Sequence, residues 1–267
     1  MPNLFELTTA ALLESDLDGK LEQAERLAVL YRDGRLDVAL RPQLPGTLEA
    51  GRPGRPVLVP PREVPKRRLG SAEGRAAMLH AIAHIEFNAI NLALDAVVRF
   101  QQMPEAFRAD WLRVAQEEVH HFRLVRGRLR DLGRDYGDFP AHDGLWALAR
   151  ETAADPLLRM ALVPRVMEAR GLDVTPGIME RFCAAGDRET VAVLEVILRD
   201  EIGHVEAGSR WFRHLCGERG LEPEKTYFEL LGRHLGNRVS CPLHHEARRA
   251  AGFSHSELER LEQLCRR

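Results

Sequence analysis

The sequence predicts an all-α fold: a four-helix bundle with extra helices at both ends of the chain and a proline-rich segment before the bundle. Two observations favour this class. Long proline-free stretches place apolar residues at helical spacing. Within them, a lone glutamate followed by a Glu-x-x-His motif occurs twice at matched distances. Four helices that each turn an acid toward a common core are typical of a bundle with metal ions at its centre.

The composition fits a water-soluble globular protein and excludes several other classes. The 267 residues are 45% hydrophobic and 29% charged, and the formal net charge is -2. A net charge this small therefore gives no overall electrostatic attraction to nucleic acid or to an anionic membrane. Arginines near the proline-rich segment and in the second bundle helix leave a local contact with RNA open. No segment resembles a targeting signal or a membrane span, so a cytoplasmic protein is expected. The four cysteines lack a C-x-x-C motif and are expected to be reduced thiols.

Two regions precede the predicted bundle. Residues 1–41 form an N-terminal helical extension, with apolar positions that predict helices over 4–17 and 18–34. Residues 42–70 are rich in proline and arginine, and this proline density excludes both a helix and a central strand. This region is either an extended strap across the surface or a mobile linker.

The bundle is predicted over residues 71–216 and is followed by a helical extension over 217–267. A kink is expected at Pro164 because proline cannot continue the helical hydrogen-bond ladder. The bundle helices are expected at 72–102, at 105–132, from Gly144 or Asp155 through Leu172, and at 188–216, with a short helical stretch between Pro176 and Gly186. In the extension, a helix is expected at 223–235, an irregular segment at 236–243, and a last helix opened by a Ser254–Glu257 capping box.

The duplicated pattern supplies six candidate metal ligands. Thirty-two positions separate the lone glutamate from the motif glutamate in the first copy and 33 in the second, counted from 86 to 118 and from 168 to 201. Glutamate and histidine three residues apart lie on one helix face and can reach one metal ion. A charged carboxylate on an apolar stripe costs several kcal/mol unless it is compensated. The candidate ligands are Glu86, Glu118, His121, Glu168, Glu201 and His204.

Helical phase selects between two overlapping motifs in the second bundle helix. Glu118 and His121 continue the apolar stripe, whereas Glu117 and His120 continue the polar face that is expected to be exposed to solvent. Glu117 and Asp200, the acids before each motif glutamate, are expected to accept the other ring N–H of the histidine in the opposite hairpin, or else to be surface acids. Glu168 has an alternative explanation as well, because a buried salt bridge to Arg165 or Arg170 would also account for it.

Other histidines and cysteines form weaker constellations. His80 and His84 lie off the face of Glu86, so a polar contact between helices is the better interpretation than ligation. Cys241 and the neighbouring His244 and His245 have no matching second pair, which argues against zinc. The candidate ligand set is therefore oxygen and nitrogen without thiolate, a combination that suits iron or manganese.

The duplicated pattern resembles the ferritin-like diiron-carboxylate superfamily. The segments His80-Ala-Ile-Ala-His-Ile-Glu86 and Met167-Glu-Ala-Arg-Gly-Leu-Asp173 are similar to an uncharacterised bacterial ferritin-like family, over roughly residues 50 to 260. A more distant similarity is to the diiron hydroxylase that acts on a prenylated adenosine in tRNA. The resemblance implies a ferritin-like bundle and the superfamily's ligand roles for the same six residues. It implies no substrate.

The resulting functional expectation is a dimetal carboxylate oxidoreductase, an O2- or peroxide-dependent hydroxylase or monooxygenase holding two iron ions, with manganese as the alternative. The expected partners are a small molecule or modified nucleoside as substrate, an external electron donor and, as an option, further copies of the chain; no membrane partner is expected. Two alternatives stay open. One is a ferroxidase that handles iron, and the other is a helical scaffold that the metal only stabilises.

Overall fold

The computed structural model describes residues 1–44, 48–65, 68–237 and 239–265. The chain divides into two compact units, Met1–Trp146 and Ala147–Arg267. Over the described residues the regular elements are helices, and the extended backbone forms isolated bridges without a named strand. The all-α prediction is confirmed at this level. The predicted domain boundaries at 41, 70 and 216 remain predictions.

The first unit is built around a long helical hairpin. Its core helix, α3 (Ala72–Arg99), is almost entirely buried, because apolar and small side chains cover most of its circumference. Short polar residues start the helices, as when the Asp16 carboxylate accepts from the Gly19 N–H at 2.8 Å. The helices are α1 (Leu4–Leu13), α2 (Leu17–Arg32), α3 (Ala72–Arg99) and α4 (Glu105–Asp131), and α5 (Gly144–Glu151) follows them.

The apolar character of α3 corrects one sequence expectation. This helix is long and apolar enough to cross a membrane by length and composition, although no such segment was expected. In the structure, 83% of its apolar window is buried. Packing against α4 and α1 therefore accounts for the hydrophobicity that a membrane span would also require.

A buried lysine joins the N-terminal helices to α3. Lys20 is fully buried, and its Nζ donates to Ala11 O at 3.2 Å, Leu12 O at 2.6 Å and Asn91 Oδ1 at 2.7 Å. These bonds use all three N–H donors of the ammonium group. They also provide a donor for two backbone carbonyls in the last turn of α1, which have no partner within the helix. Burial still disfavours the charge and lowers the pKa of Lys20 to about 7.

This shift predicts a pH dependence of stability. An unfolded lysine keeps its proton up to about pH 10.4, so from pH 7 upward the unfolded chain binds more protons than the folded chain. The unfolding free energy is expected to rise with pH between about 7 and 10, by up to ~1.4 kcal/mol per pH unit. Urea unfolding of the wild type and of Lys20→Met at several pH values measures this. Parallel pH profiles for the two proteins would contradict the assignment.

The described part of the proline-rich segment runs extended along the first unit. Val59 N–H donates to Ala141 O at 2.8 Å, and Ala141 N–H donates to Val57 O at 3.1 Å. Glu49 accepts from the Trp146 ring N–H at 2.7 Å. A single 3-10 turn, Pro61–Glu63, follows. Residues 48–65 thus have the backbone contacts of a strap, while 45–47 and 66–67 lie outside the described residues.

The second unit packs its helices around α8. Its elements are α6 (Pro156–Leu162), a π-helical segment (Val163–Glu168), α7 (Ala169–Ala184), α8 (Arg188–Glu218), α9 (Pro223–Leu235), α10 (His245–Ala250) and α11 (His255–Cys265). The kink expected at Pro164 is the π segment, where the wider turn accommodates the proline ring. The short helical stretch expected between Pro176 and Gly186 is instead the second half of α7, which passes through Pro176 while packed on α8.

The C-terminal extension confirms one prediction and corrects another. The capping box is present: Glu257 N–H donates to Ser254 Oγ at 3.0 Å, and Ser254 N–H donates to the Glu257 carboxylate at 2.8 Å. The expectation of four reduced thiols is wrong for two of them, since Cys241 and Cys265 form a disulfide with their Cα atoms 6.0 Å apart. Folding of α11 onto the segment after α9 creates this pair, which no local motif indicates.

Candidate metal centre

Three predicted ligands meet in the core of the first unit. Glu86 on α3 and Glu118 and His121 on α4 are all buried. His121 Nδ1 lies 3.3 Å from Glu118 Oε2 and 3.5 Å from Glu86 Oε2. One ligand atom from each of the three residues lies within 4.8 Å of those of the other two. This buried carboxylate and imidazole group, the first-unit cluster, could hold a metal ion.

The charges in the first-unit cluster are poorly compensated by protein groups alone. Burial and then the negative charge of Glu118 raise the pKa of Glu86 to about 8. The hydrogen bonds and charges of the two carboxylates raise the pKa of His121 well above its ordinary value, although burial acts in the opposite direction. Both shifts arise because two carboxylates and an imidazole are buried close together.

Burial on α4 follows the phase that the apolar stripe indicates. Glu118 and His121 are fully buried, whereas His120 is exposed. Glu117 is half-exposed and accepts from Arg113 Nη1 at 2.8 Å. Asp200, its counterpart on α8, likewise accepts from Arg199 at 2.9 Å. Their predicted role beside the histidines of the opposite hairpin stays a prediction.

The second unit repeats the motif on α8. His204 is fully buried and Glu201 nearly so, and His204 Nδ1 lies 3.8 Å from Glu201 Oε2. The geometry matches the Glu118–His121 pair because the same three-residue spacing places both side chains one above the other on the helix face. Each unit therefore carries one buried Glu-x-x-His pair.

Glu168 is the last residue of the π segment, which packs on α8. Its side chain is half-buried, and its Oε2 atom is inaccessible to solvent. Of the two alternative partners that the sequence left open, Arg165 is paired with another carboxylate, and Arg170 lies near one. Arg165 donates to Glu257 at 2.6 Å, and Arg170 lies 3.8 Å from Asp173. The wider π turn thus sets the position of this predicted ligand.

Gly208 allows the π segment to approach α8. A Cβ atom at position 208 would overlap Cβ and Cγ of Pro164. Gly208→Ala is therefore expected to destabilise the second unit by about 1–3 kcal/mol through overpacking, and to weaken metal binding by displacing Glu168. Gly217→Ala on the same helix meets no atom within 4 Å. That control should be neutral or stabilising, since alanine is the better helix former. Chemical denaturation compares the two variants, and equal stability would contradict the packing argument.

His80 and His84 make polar contacts instead of facing the first-unit cluster. His80 Nε2 accepts from Gly137 N–H at 3.0 Å. His84 bonds the Tyr136 hydroxyl at 2.8 Å and His142 O at 3.2 Å. Both histidines therefore fix the loop after α4, whereas the sequence predicted a contact between helices. In the C-terminal extension, Cys241 is in the disulfide and His244 caps α10, accepting from Ala247 N–H at 3.2 Å.

Sequence reasoning missed a second group of buried charges. Arg165 is 1% exposed and lies among the rings of Phe212, Tyr227 and Phe253, at 4.9, 4.3 and 4.6 Å from the ring centroids. Arg248 is also buried and bonds Asp173 through two nitrogens at 2.9 and 2.7 Å. No motif or spacing indicated these pairs, because their partners are 92 and 75 residues away along the chain.

Comparison with known proteins places the chain in a family. A Haemophilus influenzae protein described as an uncharacterized protein is 51% identical over 214 residues, which cover 78% of this chain and 74% of that protein. No solved structure matches. The model of the family described as "Protein of unknown function (DUF455)" matches residues 13–259, so the chain belongs to this family.

Proposed function

We propose that the protein is a dimetal carboxylate oxidoreductase, an O2- or peroxide-dependent enzyme of the hydroxylase or monooxygenase type on a ferritin-like four-helix bundle. The observation that carries this proposal is the buried first-unit cluster of Glu86, Glu118 and His121. The same motif recurs as the buried pair Glu201 and His204 in the second unit, where Glu168 is the counterpart of Glu86.

The first-unit cluster fits a metal ion chemically. Glu86 Oε2 is buried and has no hydrogen-bond partner among the described residues. Its distance to His121 Nδ1, 3.5 Å, is longer than a typical hydrogen bond. A buried carboxylate without a full set of partners is costly, and a cation supplies what is missing. His121 Nδ1 is the ring nitrogen that faces both acids, so it is the atom that would bind the ion after losing its proton.

The ligand set that we propose for the two ions is the one that the sequence predicts: Glu86, Glu118, His121, Glu168, Glu201 and His204. Sequence symmetry supports this, because each half supplies two carboxylates and one imidazole at matched spacing. Oxygen and nitrogen donors without thiolate favour iron, with manganese as the alternative. When bound, such a pair supplies redox equivalents for dioxygen or peroxide chemistry, with an external donor returning the electrons.

The chain's own residues hold and orient this chemistry. The carboxylates supply the negative charge that retains divalent ions, and the two Glu-x-x-His pairs fix one imidazole on each half. The apolar side chains of α3 and α4 exclude bulk water from the first-unit cluster, in which Glu118 and His121 have no solvent exposure. The proposal includes a small molecule or modified nucleoside as the substrate. It also includes a cytoplasmic location. The Cys241–Cys265 disulfide opposes that location, because disulfides are rare in the cytoplasm.

Anaerobic Fe(II) loading of the full-length protein tests the proposal. Two ions per chain are expected, and admitting oxygen should change the optical and Mössbauer spectra of the bound iron. A Zn(II)-loaded sample is the control and should show no such change. Mineral formation with repeated Fe(II) oxidation would indicate the ferroxidase alternative instead. If oxygen leaves the Fe(II) spectrum unchanged and zinc stabilises the fold equally well, the enzyme proposal is contradicted. The alternative of a metal-stabilised scaffold would then be supported.

A further inference from the structure

A cavity of about 300 Å³ lies inside the second unit, between the π segment, α9 and the C-terminal helices. Three arginines line it, Arg165, Arg170 and Arg248, and none of the described residues that line it is acidic. Its volume is at the lower end of the range typical of small-molecule sites.

The arginines are incompletely neutralised by the protein. Glu257 pairs with Arg165, and Asp173 pairs through both oxygens with Arg248. Arg165 Nε is buried without a hydrogen-bond partner among the described residues. Arg170 donates to the Ser240 carbonyl at 3.2 Å, and its nearest carboxylate oxygen given by the structure, on Asp173, is 3.8 Å away. Among the described residues, three guanidinium groups thus meet two carboxylates, and Arg170 keeps donors that can bind an anion.

The remainder of the wall is apolar. Val166 from the π segment, Leu231 and Leu235 from α9, Val239, and Leu261 from α11 contribute aliphatic side chains. The Cys241–Cys265 disulfide joins the segment that carries Val239 to α11, so two walls of the cavity are covalently linked. An aliphatic lining beside a guanidinium group is complementary to a molecule with an apolar body and one anionic end.

We propose that this cavity binds a small organic carboxylate, with its apolar chain against the leucines and valines and its carboxylate on Arg170. The cavity wall includes Val166 and Met167, which directly precede Glu168. An organic acid bound here would contact the segment that carries Glu168, and on the proposed function this class of molecule is the expected substrate. The substrate role rests on the proposed function, whereas the binding site does not.

Isothermal titration calorimetry of the full-length, metal-free protein with sodium hexanoate tests the site. Saturable binding of one hexanoate per chain is expected. Hexanol lacks the negative charge, and inorganic phosphate lacks the aliphatic tail. Each should bind at least about tenfold more weakly than hexanoate. Because no metal is present, the result does not depend on the metal proposal. Equal affinity for hexanoate and hexanol, or no binding of hexanoate, would overturn it.

Two variants locate the bound carboxylate. Arg170→Gln is expected to weaken hexanoate at least about tenfold and to leave hexanol unchanged, because this half-exposed arginine supplies the charge-assisted bond. Arg181→Gln is the matched control in another groove, which is lined by Asp173, Arg181 and His244, and it should bind like the wild type. Leu235→Trp keeps every charge but fills the cavity, so both hexanoate and hexanol should be lost. Loss of binding in Arg181→Gln, or wild-type binding in Leu235→Trp, would contradict the assignment.

Discussion

His121→Ala is expected to reduce the metal content of the protein and to weaken the remaining binding by more than ~100-fold. The reason is direct: His121 Nδ1 faces both carboxylates of the first-unit cluster, at 3.3 and 3.5 Å. Changing a group that merely supports a ligand already costs roughly 10–100-fold in metal affinity, so removal of a ligand should cost more. Elemental analysis of protein purified under iron-replete conditions, followed by Fe(II) titration, measures both effects.

The neighbouring histidine is the control for this prediction. His120 has the same chemistry and the adjacent position on α4, but it is exposed. His120→Ala should therefore keep the wild-type metal content. His204→Ala in the second unit should resemble His121→Ala, because the Glu201–His204 pair repeats the Glu118–His121 geometry. A wild-type metal content in His121→Ala would remove the basis of the proposed centre, as would equal losses in the two α4 variants.

Glu257→Ala is expected to lower the unfolding free energy by about 3–5 kcal/mol, the largest stability effect proposed for this protein. Its carboxylate pairs with Arg165, which is 1% exposed and has its Nε without a partner among the described residues. Removing the acid would leave a buried guanidinium group without its counter-charge and would also break the capping box of α11. Urea unfolding followed by circular dichroism gives the free energy.

Two further substitutions on α11 separate these contributions. Glu257→Gln keeps one oxygen acceptor, for either the Arg165 guanidinium or the Ser254 N–H, so its cost should be smaller than that of Glu257→Ala. Glu259→Ala removes an exposed acid that lies 3.2 Å from an exposed histidine, His255. Its effect should stay within about 0.5 kcal/mol. Similar losses for Glu257→Ala and Glu259→Ala would show that burial of the ion pair contributes little.

Helical periodicity predicted most of the secondary structure. The long hairpin helices of the first unit end within three residues of the expected limits, at Arg99 and Asp131, because a continuous apolar stripe and flanking prolines or glycines determine both ends. The helix through Pro176 was not predicted. A proline inside a helix is unfavourable locally, and only packing of α7 on α8 compensates for it.

The candidate ligands were also accessible from sequence, since an acid on an apolar stripe is informative without coordinates. Glu86, Glu118, His121, Glu201 and His204 are buried as their helical phase indicated. Glu168 is different, because a π turn and not a regular helix sets its position. A π turn shifts the phase of every following residue, which a periodicity of 3.6 cannot anticipate.

The sequence by itself determined the helical class, the duplicated ligand motif and the choice of His121 over His120, because these depend on spacing within one helix. Only the tertiary structure decided the Cys241–Cys265 disulfide, the Arg165–Glu257 ion pair and the arginine-lined cavity. The partners in the disulfide and in the ion pair are 24 and 92 residues apart along the chain. Contacts at such separations follow from how whole helices pack, so no local pattern of residue types specifies them.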